Sequence, residues 1–152
     1  MRERLFVVVV AGFIASGCAS WFMNGGRLAG AGESVAGATA VLDVPSCTDA
    51  NGGAIAGPAN TRYYLLSGQT GPELFERSAD GSGAVITNRW QAEDGMHFFA
   101  WVQSSGWEYV LPQPGAPGVR YVYSGMRVVR APDGSHRPEG PRIATCPLVP
   151  GT

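Results

Sequence analysis

The sequence predicts an all-β fold, an antiparallel β-sandwich or small β-barrel of about seven or eight strands. Three observations carry that expectation. Short runs rich in Val, Ile, Tyr, Phe and Trp recur between positions 41 and 146, each bounded by Gly, Pro, Asn or Asp. Across 84–91 the residues Ala84, Ile86, Asn88 and Trp90 alternate with Val85, Thr87 and Arg89, the period of two that a strand requires. No amphipathic helical pattern longer than a turn or two interrupts this region, and there is no internal repeat.

Taken in order, 41–44 is the first expected strand, and Pro45-Ser46-Cys47 leads from it into Thr48-Asp49-Ala50-Asn51-Gly52-Gly53, which is turn chemistry throughout. Runs at 62–66 and 73–77 follow, then 84–91, 96–103 and 107–111. Asp94-Gly95 and Ser105-Gly106 separate these last three as short hairpin signals, so they form an antiparallel meander. Pro112, Pro114 and Pro117 stiffen the next connection before 119–123. Gly125 interrupts the run to Val129, and an isolated Gly there predicts a bulge or bend that lets one long strand serve two sheets or turn a barrel corner. Asp133-Gly134 opens a polar loop through Pro141, 142–146 is the last expected strand, and Pro147 and Pro150 stop it.

The start of the chain is different in kind. Arg2 and Arg4 precede the apolar run 5–14, which is followed by Ala15-Ser16-Gly17-Cys18. The run is too short for the roughly 20 residues of a membrane-spanning helix and suits the apolar region of a signal peptide. These 18 residues resemble a bacterial lipoprotein signal with its lipobox, with Ala15 where that family usually has Leu. The resemblance implies cleavage before Cys18 and attachment of a diacylated lipid to its sulfur through a thioether. It divides the chain into a helical signal segment at 1–17, a lipidated Cys18 with a flexible Gly/Ala/Ser-rich tether through 40, and a β domain at 41–152. A tether of that length spans roughly 25 Å. The expected location is the cell envelope, with the lipid in the membrane (the outer one in a Gram-negative host) and the domain in the periplasm or at the surface.

Composition narrows the function classes. All 11 basic residues are Arg; without Arg2, Arg4 and Glu3, nine basic residues face eleven acids, a net −2 with no nucleic-acid footprint. Hydrophobic residues at 45% and aromatics at 10% exclude disorder for the body of the chain. If lipid takes Cys18, Cys47 and Cys146 are the remaining pair, and an oxidising compartment joins them. Neither has a metal-ligand spacing, so no metal and no cofactor is expected.

Candidate chemistry is sparse. His97 shares a strand face with Phe99 and Trp101, and a catalytic role as general base would need orientation by Glu93, Asp94 or Glu108. His136 lies near Asp133 and Glu139 in the expected polar loop. Gly32-Glu33-Ser34-Val35-Ala36 approximates a nucleophile elbow without the strand and helix that motif needs. The denser signal is aromatic. Phe98 and Phe99 are consecutive, so both faces of their strand are apolar, and that strand is either covered on both sides or leaves rings for a ligand. His97, Phe99, Trp101, Trp107, Tyr109, Arg120 and Tyr121 are the expected ligand-binding set, with an envelope protein or glycan as partner. One further echo is Pro117-Gly118-Val119-Arg120-Tyr121, which is similar to the S-G-x-x-Y segment of membrane-bound inhibitors of C-type lysozyme, small β-barrel lipoproteins, with Pro117 replacing their Ser. The preferred expectation is a noncatalytic envelope binding or structural module, with that inhibitor and a small hydrolase using His97 as alternatives.

Overall fold

The structure, a computed structural model, describes residues 26–29, 32–56, 61–78, 81, 83–103, 106–112 and 118–152. The expected signal segment and Cys18 lie outside them. The described chain is all-β, with fourteen strands: β1 (Gly26–Ala29), β2 (Ala40–Asp43), β3 (Cys47–Asp49), β4 (Ala54–Ile55), β5 (Arg62–Gly68), β6 (Gly71–Arg77), β7 (Gly83–Ile86), β8 (Arg89–Gln91), β9 (His97–Gln103), β10 (Gly106–Leu111), β11 (Gly118–Tyr123), β12 (Arg127–Arg130), β13 (His136–Glu139) and β14 (Arg142–Pro150). Ten pair antiparallel in the order β1-β7-β6-β5-β2-β14-β11-β10-β9-β8, a sheet curled into a half-barrel; β3 attaches at β14 and β4 at β3, and β12–β13 is a separate hairpin.

The count of seven or eight strands is therefore too low. Strands of two to four residues, such as β3, β4, β12 and β13, are too short to show a period. Cys47–Asp49 is strand rather than turn, and the expected polar loop of 133–141 contains β13. Part of the stretch read as tether also belongs to the domain. Gly26–Ala29 pairs with β7, Val35 packs on Phe75 and Val85, and the Thr39 amide donates to the Leu65 carbonyl at 2.8 Å.

The run 84–91 is two strands, not one. The chain leaves β7 at Thr87 and crosses to the far edge of the sheet as β8, with Asn88 as the pivot. Its side-chain amide donates to the Ala100 carbonyl at 3.1 Å, and its carbonyl accepts the Ala100 amide at 3.3 Å. Alternation continues through the break because both halves are β, so period alone cannot reveal it. The expected three-strand meander is present as β8–β9–β10, and β11 extends it by one strand. Its first turn follows the Asp-Gly signal: Gly95 takes φ +80°, and Asp94 Oδ1 accepts the Met96 amide at 2.9 Å.

Gly125 ends a strand rather than bulging one. The chain turns out of the sheet at Ser124-Gly125 into the β12–β13 hairpin, and a Cβ at Gly140 would overlap the Gly125 carbonyl oxygen where the hairpin returns. The strand that serves two parts of the sheet is β14. Its residues 144–145 pair with β3 and 149–150 with β2, while β11 runs along its other side. Pro147 does not stop it. It falls in the gap between β3 and β2, where a missing N–H costs least.

Both faces of this sheet are apolar. Inside the curl, Leu42, Tyr63, Leu74, Ile86, Phe99, Trp101, Val110 and Leu148 form the main core. On the convex side Phe75 and Val85 form one smaller cluster under Val35, and Phe98, Tyr109 and Tyr123 another under Met126 and Val128. Phe98 and Phe99 are both 0% exposed, on opposite sides of β9. The strand is covered on both sides at that point.

Candidate functional site

On the convex face of the meander the rings stack across four strands. Trp90 lies 5.5 Å from Phe98, Phe98 4.9 Å from Tyr109, and Tyr109 5.3 Å from Tyr121, with interplanar angles of 22°, 31° and 26°. Each pair joins neighbouring strands, so the ladder stiffens the sheet laterally, each contact contributing about 0.5–1.5 kcal/mol beyond burial. The ladder ends on a cation. Arg142 of β14 places its guanidinium 4.2 Å from the Tyr121 ring centroid.

A bulge puts Arg142 there. The β11–β14 register runs Val122↔Ala144 and then Tyr123↔Arg142, so Ile143 is the extra residue and is 42% exposed. Unshifted pairing would turn Arg142 toward the core side; the inserted residue re-aims it to the face of Tyr121 and Tyr123. The Arg142 side chain makes no hydrogen bond or ion pair among the described residues.

Arg142 lines a cleft of about 660 Å³ between the β12–β13 hairpin on one side and β3 and its turn on the other, with Asp49, Tyr123, Glu139 and Thr145 also among its walls. Asp49 is held rigidly, its Oδ1 accepting the amides of Asn51 at 2.9 Å and Gly53 at 2.8 Å. Glu139 is held by Arg137 at 3.2 Å and Arg127 at 3.0 Å, which lower its pKa below the usual carboxylate range. The cleft thus offers two oriented carboxylates, one guanidinium, a hydroxyl and an aromatic wall. A second cleft of about 460 Å³ near Thr61 contains Asp43 and Arg62, but those two are spent on a bidentate pair at 2.6 and 2.9 Å.

Arg120 goes the other way, into the core. On β11 it stands opposite Cys146 of β14, and its side chain is locked between Glu108 and the disulfide. Nη2 donates to Glu108 Oε1 at 2.6 Å; Nη1 lies 3.1 Å from Cys146 Sγ and 3.9 Å from Cys47 Sγ. Glu108 is 1% and Arg120 7% exposed. Burial works against the Arg120 charge, but Tyr63 and Glu108 more than offset it, and its pKa is raised. Burial also drives the neighbouring Tyr63 hydroxyl well above its usual range, with Glu76 adding to the rise. Cys47 and Cys146 are bonded, with their Cα atoms 4.2 Å apart across 99 positions.

The structure therefore divides the expected ligand set. Phe99, Trp101 and Arg120 are interior residues, Tyr109 is buried inside the ladder, and only Trp107 and Tyr121 retain partial exposure with His97 at one end of β9. His97 stands opposite Gln91 and hydrogen-bonds no carboxylate among the described residues, and Glu108 points into the core instead. His136 lies opposite Arg130, and no group of three or more His, Cys, Asp or Glu gathers for a metal among the described residues. In the Gly32–Ala36 stretch, Ser34 Oγ accepts the Ala36 amide in a turn that no helix follows. In the lysozyme-inhibitor-like segment, Pro117 is outside the described residues and 118–121 is β11 itself, with Arg120 inward. Arg142, Asp49 and Thr145 carry no ligand-binding signal in the sequence, and Glu139 is noted only beside His136 and Asp133, because β13 and the Ile143 bulge assemble the four from separate segments.

No family model, no curated protein and no solved structure matches the chain. No helix among the described residues is long and apolar enough to cross a membrane, which says nothing of strands.

Proposed function

We propose that this chain is a lipoprotein of the bacterial envelope, anchored through Cys18, whose β domain binds an acidic glycan without catalysis. The single observation that supports it most is Arg142, which lies over the Tyr121 ring and lines the polar cleft with its hydrogen-bonding donors unengaged among the described residues. A planar guanidinium over an aromatic ring suits bidentate recognition of a carboxylate. The Asp49 and Glu139 carboxylates, already oriented by their own partners, suit sugar hydroxyls as donors. The volume is in the range of small-ligand sites.

The test is titration of the full chain in detergent micelles with soluble oligosaccharides, with and without uronic acid groups. Arg142→Ala is expected to weaken binding of the acidic ones about tenfold to a hundredfold, the worth of a charge-assisted hydrogen bond, and Arg142→Lys to restore it only in part. Equal affinity of the unaltered chain and Arg142→Ala, or no binding by either, overturns the assignment. The anchor is tested separately: Cys18→Ser is expected to move the protein from the detergent phase to the aqueous phase, or to leave its signal unprocessed. Unchanged membrane association with a mature N-terminus elsewhere defeats the lipoprotein reading.

A further inference from the structure

A disulfide sulfur is a weak, uncharged hydrogen-bond acceptor, yet Arg120 directs a buried guanidinium donor at one, 3.1 Å from Cys146 Sγ. The same donor would meet a full negative charge if Cys146 were a thiolate. An adjacent guanidinium is one of the environments that lowers a cysteine pKa from about 8.5. The contact therefore stabilises the reduced state more than the oxidised one, and it is unequal between the sulfurs, since Cys47 Sγ is 3.9 Å away. Arg120 cannot swing off: it stands opposite Cys146 in the β11–β14 ladder, and Glu108 holds its other nitrogen at 2.6 Å.

The two cysteines also sit on elements of unequal strength. Cys146 is in the middle of β14, paired along β11. Cys47 begins β3, a three-residue strand off the main path of the sheet, joined to β14 by two residue pairs and flanked only by the exposed two-residue β4. With both cysteines buried, at 2% and 0% exposed, exchange requires β3 to open, and such weakly attached edge elements open first.

We propose that Cys47–Cys146 is an exchangeable disulfide in which Cys47 is attacked by an external dithiol and Cys146 leaves as a thiolate held by Arg120. The reductant's thiolate bonds to Cys47 Sγ, the S–S bond breaks, and its electron pair goes to Cys146 Sγ. The second thiol of the reductant loses its proton and attacks the reductant's own sulfur in the mixed disulfide. Cys47 is released as a thiolate that takes up a proton. The dithiol ends as its cyclic disulfide, and the protein has gained two electrons. Reduction unpins β3 and the Asp49 turn, one wall of the cleft, from β14; the exchange itself does not depend on what the cleft binds.

Two measurements on the full chain in detergent test this. Equilibration with reduced and oxidised dithiothreitol, read by counting free thiols in intact-mass spectra, compares the unaltered chain with Arg120→Met/Glu108→Met. Removing the guanidinium is expected to favour the disulfide about tenfold, a potential lower by about 30 mV. An unchanged or opposite equilibrium overturns the proposal. The second measurement needs no variant: the chain is held with glutathione, quenched and cleaved at arginine. The glutathione adduct is expected on the fragment 28–62, which carries Cys47, with Cys146 free in 143–152. An adduct on Cys146 overturns the assignment of roles.

Discussion

Replacing Cys47 and Cys146 together by serine is expected to lower the unfolding free energy of the domain by about 4–5 kcal/mol. The bond closes a loop across 99 positions. In the chain-entropy model, freeing a loop of about 100 residues restores that much conformational freedom to the unfolded state. Serine is the right replacement because its hydroxyl can still accept from Arg120, so the change isolates the cross-link from the loss of a hydrogen-bond partner. Typical domains are stable by only about 5–15 kcal/mol, so the melting temperature of the full chain should fall by roughly 10–20 °C. Differential scanning calorimetry of the two chains measures it. A shift of under about 2 °C would mean that β3 and β14 hold each other without the bond, which two residue pairs are not expected to do.

The buried ion pair gives the second large effect, and its sign depends on how it is removed. Glu108→Ala leaves the Arg120 guanidinium, 7% exposed, without its carboxylate in the core, and is expected to cost about 3–5 kcal/mol. Arg120→Met/Glu108→Met removes both charges and fills similar volume with apolar atoms. Desolvation of two ions roughly cancels their attraction, so this double variant is expected to stay within about 1–2 kcal/mol of the unaltered chain or to exceed it. Urea denaturation of the unaltered chain and both variants decides the matter. A double variant as unstable as Glu108→Ala would show that the pair itself contributes net stability.

The local elements were readable where chemistry is local. Asp94-Gly95 marked a hairpin because a carboxylate that caps a turn and a residue free to take positive φ are both sequence properties, and Gly95 indeed has φ +80°. The unbroken alternation of 84–91 hid the crossover at Asn88, since each half obeys the same period while pairing at opposite edges of the sheet. The candidate site was mostly hidden. Tyr121 was chosen for its ring, but Arg142 reaches it only because Ile143 is inserted opposite the end of β11.

By composition and spacing alone, the chain was committed to β structure, to turns at its Asp-Gly pairs and to apolar side chains on both faces of the strand carrying Phe98 and Phe99; the bond between Cys47 and Cys146 was expected only with the lipoprotein resemblance, which assigns Cys18 to lipid. The first three follow from backbone sterics and from alternation of side chains along a strand. The number and order of strands, the curl of the sheet, the inward turn of Arg120 and the outward turn of Arg142 were decided by tertiary structure. A period of two says that a strand has two faces but not which one the sheet encloses. That choice depends on register between segments far apart in sequence, and a one-residue shift reverses it: Arg120 lies opposite Cys146 in the core, while the bulge at Ile143 sends Arg142 to the surface.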